Sequence, residues 1–121
     1  DMALVLVTHD LQVVRGWTDD VAVMYGGQIV EAGPTAAVFD DPQHQYTQAL
    51  LASTPRLDLR PHSRLAAIEG QPPSLVAPPP GCRFAARCTI VDDRCRAEDP
   101  MPVQIGDREF RCWYPGTGKA T

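Results

Sequence analysis

Residues Ala3–Gly33, ALVLVTHDLQVVRGWTDDVAVMYGGQIVEAG, carry the order of elements that decides the fold. With Met2 in front, Met2–Val7 is an unbroken apolar run, the pattern of a strand covered on both faces. Thr8-His9-Asp10 ends it. Asp10 is a good N-cap for a short helix from Leu11 to about Trp17, with Leu11, Val14 and Trp17 on one face. Asp19-Asp20 stops that helix. Val21–Tyr25 and Gln28–Glu31 then flank Gly26-Gly27, which supplies the positive φ angles of a two-residue hairpin turn. A buried strand needs neighbours that the rest of the sequence does not supply. The chain is therefore expected to begin in the middle of a larger α/β domain.

Working outward, Gly33-Pro34 leads into a short helix near Thr35–Phe39, closed by Asp41-Pro42, and a second helix is expected near Tyr46–Ala52. Seven of the twelve prolines then fall between Pro55 and Pro80. That is the composition of an extended, semi-rigid connector, with a short strand expected at Leu65–Glu69. From Gly81 onward the sequence is irregular and holds all four cysteines. Short strands are expected there at Val103–Ile105 and Glu109–Tyr114. There is no internal repeat.

At 121 residues, with 44% hydrophobic and 21% charged, the composition is that of one small globular unit or a part-domain with an appendage. No apolar run is long enough to cross a bilayer. The net charge of −4 argues against a nucleic-acid partner, which calls for a basic face. The charge is uneven: residues 1–81 hold four arginines against nine acids, and residues 82–121 hold seven basic residues against six acids.

His9 ends a predicted strand and precedes a capped helix, which puts it at the carboxyl edge of a sheet, where open α/β folds bind ligands. A neutral imidazole there could meet a terminal phosphate or an attacking water; equally, His9 could be a loop histidine with a capping role. The sequence around it narrows this choice. Leu6–Leu11 followed by Asp20–Gly33 closely resembles the end of the nucleotide-binding domain of ABC transporters. In that family the histidine at the position of His9 is the switch histidine that contacts the γ-phosphate. Further on, Asp41-Pro42-Gln43-His44-Gln45-Tyr46-Thr47-Gln48-Ala49-Leu50-Leu51 is similar to the N-P-x-H-P-Y-T-x-x-L-L segment of the dipeptide, oligopeptide and nickel importer branch. Asp41 replaces the usual Asn, and Gln45 replaces a Pro that favours a first helical turn, which should loosen the start of the helix. His44 and Tyr46 are expected to pack that helix start and touch no ligand.

The resemblance also marks what this stretch lacks. A phosphate-cradling loop needs the form G-x-x-x-x-G-K-S/T. Gly116–Thr121 is superficially like it, but Trp113 stands where the first Gly is required and Ala120 where Ser or Thr is required. The family's signature loop and catalytic glutamate are expected upstream of Asp1. The chain on its own is therefore expected neither to bind ATP tightly nor to hydrolyse it, although the parent subunit would be an ATP-hydrolysing translocase component.

Cys82, Cys88, Cys95 and Cys112 are spaced C-x5-C-x6-C-x16-C. Two disulfides, a four-cysteine zinc site and a [4Fe–4S] cluster are all compatible with this set. Each cysteine has an arginine beside it: Arg83, Arg87, Arg94, Arg96 and Arg111. Nearby cations lower thiol pKa values and would offset a tetrathiolate, which favours metal or cluster over disulfides and leaves zinc and iron–sulfur open. Gly70-Gln71-Pro72-Pro73, Gly81–Cys88, Cys95, Pro100 and Arg111-Cys112 look like the C-terminal extension of the same importer branch, whose form is G-C-x-F-x-x-R-C, a third cysteine and a last one near the end. That resemblance implies a [4Fe–4S] cluster on Cys82, Cys88, Cys95 and Cys112, with zinc as the alternative on the same ligands. Phe84 would cover the cluster, and Arg87 would either bond one of its sulfurs or be solvated.

Taken together, the fold expected is α/β: the C-terminal part of a P-loop, RecA-like ABC nucleotide-binding domain followed by a small irregular, cluster-stabilised α+β extension. Residues 1–33 would be the end of the ATPase domain, 34–81 a helical segment and Pro-rich connector, and 82–121 the four-cysteine module. The resemblance implies ATP and Mg²⁺ in the intact subunit and ATP-dependent import of peptides or a related small solute. It also implies a second ATP-binding subunit, transmembrane permease subunits and, indirectly, a solute-binding protein as partners, at the cytoplasmic face of the membrane. The rival reading is a free-standing metal-binding interaction module with no ATPase role.

Overall fold

A computed structural model describes residues 1–55 and 67–116. Its centre is a four-stranded antiparallel sheet of order β1-β2-β4-β3, built from β1 (Asp20–Tyr25), β2 (Gln28–Pro34), β3 (Val103–Ile105) and β4 (Arg108–Phe110). The β1–β2 turn is Gly26-Gly27, with φ of 56° and 79°, left-handed values that side chains with a Cβ adopt only under strain. β2 pairs with β4 through Glu31 opposite Phe110 and Ala32 opposite Glu109, so one sheet crosses from the first segment of the sequence to the third.

The register of β1 on β2 slips between Val23 and Met24. This bulge leaves Val30 and Glu31 both buried, although neighbours in an unbroken strand point to opposite faces. The Val30 carbonyl accepts the Arg111 N–H at 2.9 Å, which carries the β2–β4 contact one residue beyond the strand. A buried polar residue thus enters the core beside an apolar one, and it proves to organise the site.

Four α-helices lie among the described residues. α1 (Leu11–Trp17) is capped as its sequence dictates, Asp10 accepting from the Gln12 and Val13 N–H groups. Val14 faces inward, but Trp17 is 80% exposed, so the apolar face is narrower than the sequence implies. α1 is tied to α2 (Thr35–Asp40) by a Thr18–Thr35 hydroxyl contact of 2.9 Å, and the Thr35 N–H donates to the Asp19 carbonyl. α3 (Gln45–Ser53) and the five-residue α4 (Asp93–Ala97) complete the set. The core is Val23, Tyr25, Val30, Val38 and Phe84. Phe84 meets Tyr25 edge-on at 5.2 Å, while Tyr46 lies 4.4 Å from Tyr25.

Three expectations from the sequence are corrected. Met2–Val7 forms no strand: it is exposed, Val7 to 92%, because a strand exists only when paired and no described segment lies beside it. The second tail strand spans Arg108–Phe110 rather than Glu109–Tyr114, since Arg111 leaves β3 to bond Val30. Of the strand expected at Leu65–Glu69, Ala67–Glu69 is irregular, and Leu65 and Ala66 lie outside the described residues.

Candidate functional site

Four short segments converge on one place. Gly81 packs so tightly on α4 that a Cβ there would sit 2.2 Å from the Cys95 carbonyl oxygen and 2.5 Å from the Arg96 carbonyl carbon. That approach lets the Cys82 N–H donate to the Cys95 carbonyl at 2.8 Å. A turn follows, with the Ala85 N–H donating to the Cys82 carbonyl and a single 3-10 turn at Ala85–Arg87 delivering Cys88. Cys95 sits on α4, where the N-cap Asp92 accepts the Cys95 N–H at 3.0 Å.

Cys112 arrives last, and its two followers clip α4 at both ends. Trp113 Nε1 donates to the Glu98 carbonyl at 3.0 Å, and the Arg94 guanidinium lies 3.5 Å from the Trp113 ring centre. The Tyr114 hydroxyl donates to Asp92, the same carboxylate that caps the helix. Together these contacts hold Asp92 well below the carboxylate range, at about 2, with the Tyr114 hydroxyl bond the largest cause.

All four cysteines, free thiols in this structure, line one cavity of about 20 Å³ together with His44, Phe84, Ile90 and Tyr114. Burial raises every one of the thiols, Cys82 to about 11, and at Cys82, Cys88 and Cys112 neighbouring thiols add to the rise. Backbone N–H groups oppose it: Phe84 at Cys82, Ile90 at Cys88, and Tyr114 and Gln45 at Cys112. Among the described residues no group of three or more His, Cys, Asp or Glu side chains is arranged to hold a single metal ion.

The donor set is nevertheless wholly sulfur, the kind that suits zinc or an iron–sulfur cluster. A lone zinc needs four sulfurs about 2.3 Å from one point, hence within about 4 Å of one another. A cubane binds each thiolate at its own iron corner and so accepts a wider spread. A cavity of this size holds about one water, so a cluster requires the walls to part. Those walls are a turn, the five-residue α4, the start of α3 and loop segments.

The arginines do not do what their positions in sequence imply. Arg83 donates to the Gly26 carbonyl across the hairpin turn. Arg87 is taken up by the Ile68 and Glu69 carbonyls and the Tyr25 hydroxyl. Arg94 stacks on Trp113, and Arg111 pairs with Asp99 at 3.6 Å. Four of the five guanidinium groups are thus held by other partners, and burial dominates, so the thiols go up, not down.

The wall opposite α4 is the start of α3. Glu31, 1% exposed, accepts the Gln43 N–H at 2.8 Å and the His44 N–H at 2.9 Å, and its carboxylate pairs with Arg108 at 3.2 Å. His44 is the N-cap of α3, its Nδ1 accepting the Tyr46 N–H at 3.0 Å. Gln45 is buried, and its amide reaches the Tyr114 carbonyl. This helix start is tied from several sides despite the absence of proline. Glu31 and Arg108 escaped the sequence reading; the signal was an acidic residue in an otherwise apolar strand.

His9 lies exposed in a bend just ahead of the Asp10 cap and is not part of the cysteine cavity.

Residues 30–95 match the model of the family described as the oligopeptide/dipeptide transporter, C-terminal region; Cys112 lies beyond the matched stretch. The chain is similar to the dipeptide transport ATP-binding protein DppD of Bacillus subtilis, at 53% identity over 116 residues, covering 93% of this chain and 34% of that protein. It is similar to the DppD of Escherichia coli at 44% over 116 residues, covering 95% of this chain and 35% of that protein. A putative peptide import ATP-binding protein of Brucella abortus is 43% identical over 111 residues, covering 92% and 33%. The chain thus spans about a third of the length of the curated relatives it matches.

Proposed function

Because the chain belongs to the oligopeptide/dipeptide transporter C-terminal-region family, we propose that it is the C-terminal part of an ATP-binding subunit that powers import of peptides or a related small solute. The names of its relatives, dipeptide transport and peptide import ATP-binding proteins, support that reading. In the intact subunit ATP and Mg²⁺ are bound by segments outside this stretch, and His9 meets the γ-phosphate. Two such subunits, identical or paralogous, act on transmembrane permease partners at the cytoplasmic face, with a solute-binding protein delivering cargo. No described helix is long and apolar enough to cross a membrane. Residues 1–33 are the end of the ATPase domain, 34–81 the connector, and 82–121 the cysteine module.

The cysteine module takes a [4Fe–4S] cluster on Cys82, Cys88, Cys95 and Cys112. The observation that carries this is that four cysteines dispersed over thirty-one residues line a single cavity with no oxygen ligand of the Asp or Glu type on its walls. Zinc on the same four thiolates is the alternative reading. Bound there, the cluster would supply cross-links to a tail with little core of its own.

Anaerobic reconstitution with iron and sulfide tests the cluster. The expected result is the broad visible absorbance of a cubane with four irons per chain, abolished in Cys82→Ser. Tight stoichiometric zinc with no iron uptake would overturn it. Calorimetry tests the nucleotide half: this chain should show no micromolar ATP binding, and His9→Ala in the full-length subunit should abolish turnover.

A further inference from the structure

Cys82 and Cys95 are thirteen residues apart in sequence and one hydrogen bond apart in space. The Cys82 N–H donates to the Cys95 carbonyl at 2.8 Å, an approach so close that only glycine fits at position 81. Standard bond lengths on either side of such a bond put the two Cα atoms about 5–6 Å apart. That lies inside the range of about 4.4–6.8 Å that a disulfide spans. The backbone is also held: Asp92 accepts the Cys95 N–H at 3.0 Å, and the Cys82 carbonyl accepts the Ala85 N–H at 3.0 Å. Both residues are free thiols, and both line the same cavity, so their sulfurs share one space. That space is apolar and has room for about one water. A cluster would have to part its walls. An S–S bond of about 2 Å draws two sulfurs together and carries no charge.

We infer that Cys82 and Cys95 are a redox pair, which the metal-free chain closes to a disulfide by exchange with a low-molecular-weight disulfide. Half-buried Cys82 is the sulfur that the reagent meets first, and buried Cys95 resolves the mixed disulfide. Cys82 sulfur attacks the reagent and releases one thiol; Cys95 sulfur then attacks Cys82 sulfur and releases the second. The two protein protons end on the released thiols, and the two electrons of the pair reduce the reagent's S–S bond. The new bond pins the turn after Gly81 to α4. It leaves two thiols, fewer than the four that zinc or a cluster would need here, so oxidation locks the module in a closed form. The inference does not rest on the reading of the cysteines as cluster ligands.

The test uses the arginines beside the cysteines. Trypsin cuts after Arg83, Arg87, Arg94, Arg96 and Arg111, which puts every cysteine on a peptide of its own. The reduced chain is stripped of metal with a chelator under nitrogen and treated with oxidised glutathione, natively and in urea. It is then blocked with N-ethylmaleimide, digested, and its linked peptides are counted by mass spectrometry. In urea, loop length alone favours Cys82–Cys88 over Cys82–Cys95 by about threefold. The native chain should reverse that order, a change of about tenfold in the ratio, with Cys95-Arg96 joined to the peptide that ends at Arg83. Dithiothreitol should release the pair. Several results overturn the inference: a native chain joined mainly through Cys82–Cys88 or Cys82–Cys112, the same ratio natively and in urea, a mixed disulfide at Cys82 that Cys95 does not resolve, or four free thiols under conditions that oxidise the urea sample. Iron uptake by a separate reduced sample decides the cluster reading and leaves this result as it stands.

Discussion

Replacing Glu31 by glutamine keeps the shape of the side chain and changes its hydrogen-bonding chemistry. The native carboxylate is almost fully buried and serves three donors: the Gln43 and His44 N–H groups and the Arg108 guanidinium. Glutamine keeps one acceptor oxygen and turns the other into an NH2 that faces an N–H. One backbone donor at the start of α3 is then buried without a partner, at about 1–3 kcal/mol. Arg108 also loses the charge of its most buried partner. Breaking a buried pair costs about 3–5 kcal/mol, less here because Arg108 still donates to the Asp41 carbonyl and lies 3.4 Å from its carboxylate.

The two effects together point to about 3–5 kcal/mol for Glu31→Gln, and for a domain of this size to a Tm lower by roughly 15 °C or more. Urea unfolding at pH 7, followed by far-ultraviolet circular dichroism, reads this as a shift in midpoint. Glu98→Gln is the control, since its partner Arg94 is a surface residue on the same helix face, and it should lie within about 0.5 kcal/mol of native. A Glu31→Gln protein as stable as that control would refute the argument. Combining it with Arg108→Met in a double-mutant cycle should recover a coupling of about 1–3 kcal/mol.

Stability should also fall in acid through His44. Its folded value of about 4 lies below the ordinary 6.5, so the unfolded chain takes up the proton first. The contribution is complete above about pH 6.5 and is lost as pH falls toward 4, by up to about 3 kcal/mol; His44→Asn should flatten that part of the stability–pH curve. Gly81→Ala should destabilise by about 1–3 kcal/mol and lower iron uptake, because its Cβ would meet the Cys95 carbonyl; native stability with full loading would refute it. Thiol modification under native conditions should keep accelerating well above pH 9, with Cys82 slowest, because burial holds the thiols protonated. A rate that levels off by pH 8 would contradict the raised values.

The elements that were legible from the sequence are those whose signals lie within a few residues. Asp10 marks the start of α1, Gly26-Gly27 marks the hairpin, and α2, α3 and β3 fall where local pattern puts them. Everything that depends on residues distant in sequence was hidden. No pattern near Glu31 announces that it faces Arg108 across 77 residues, or that a bulge turns it inward. The arginines illustrate the same limit. Their adjacency to the cysteines is a fact of sequence, but a guanidinium on a long side chain reaches Gly26, Ile68 or Trp113 as readily as the neighbouring sulfur. Met2–Val7 has the composition of a strand, and composition alone cannot provide a partner.

The sheet explains why the cysteine site lies where it does. Cys112 lies two residues beyond the end of β4, and β4 is placed by its pairing with β2. The start of α3, with His44 and Gln45, is placed by Glu31, which is also on β2. One strand therefore positions two walls of the cavity, while Gly81 and the Asp92 cap position the other two. The bulge at Val30 is what allows β2 to do both, since it offers the Val30 carbonyl to Arg111 and the Glu31 carboxylate to α3. β2 is also half of the hairpin that follows His9 and α1. β2 is therefore shared between the hairpin and two walls of the cavity. Glu31 is the residue through which β2 holds the start of α3, so removing a single oxygen acceptor there would loosen that wall.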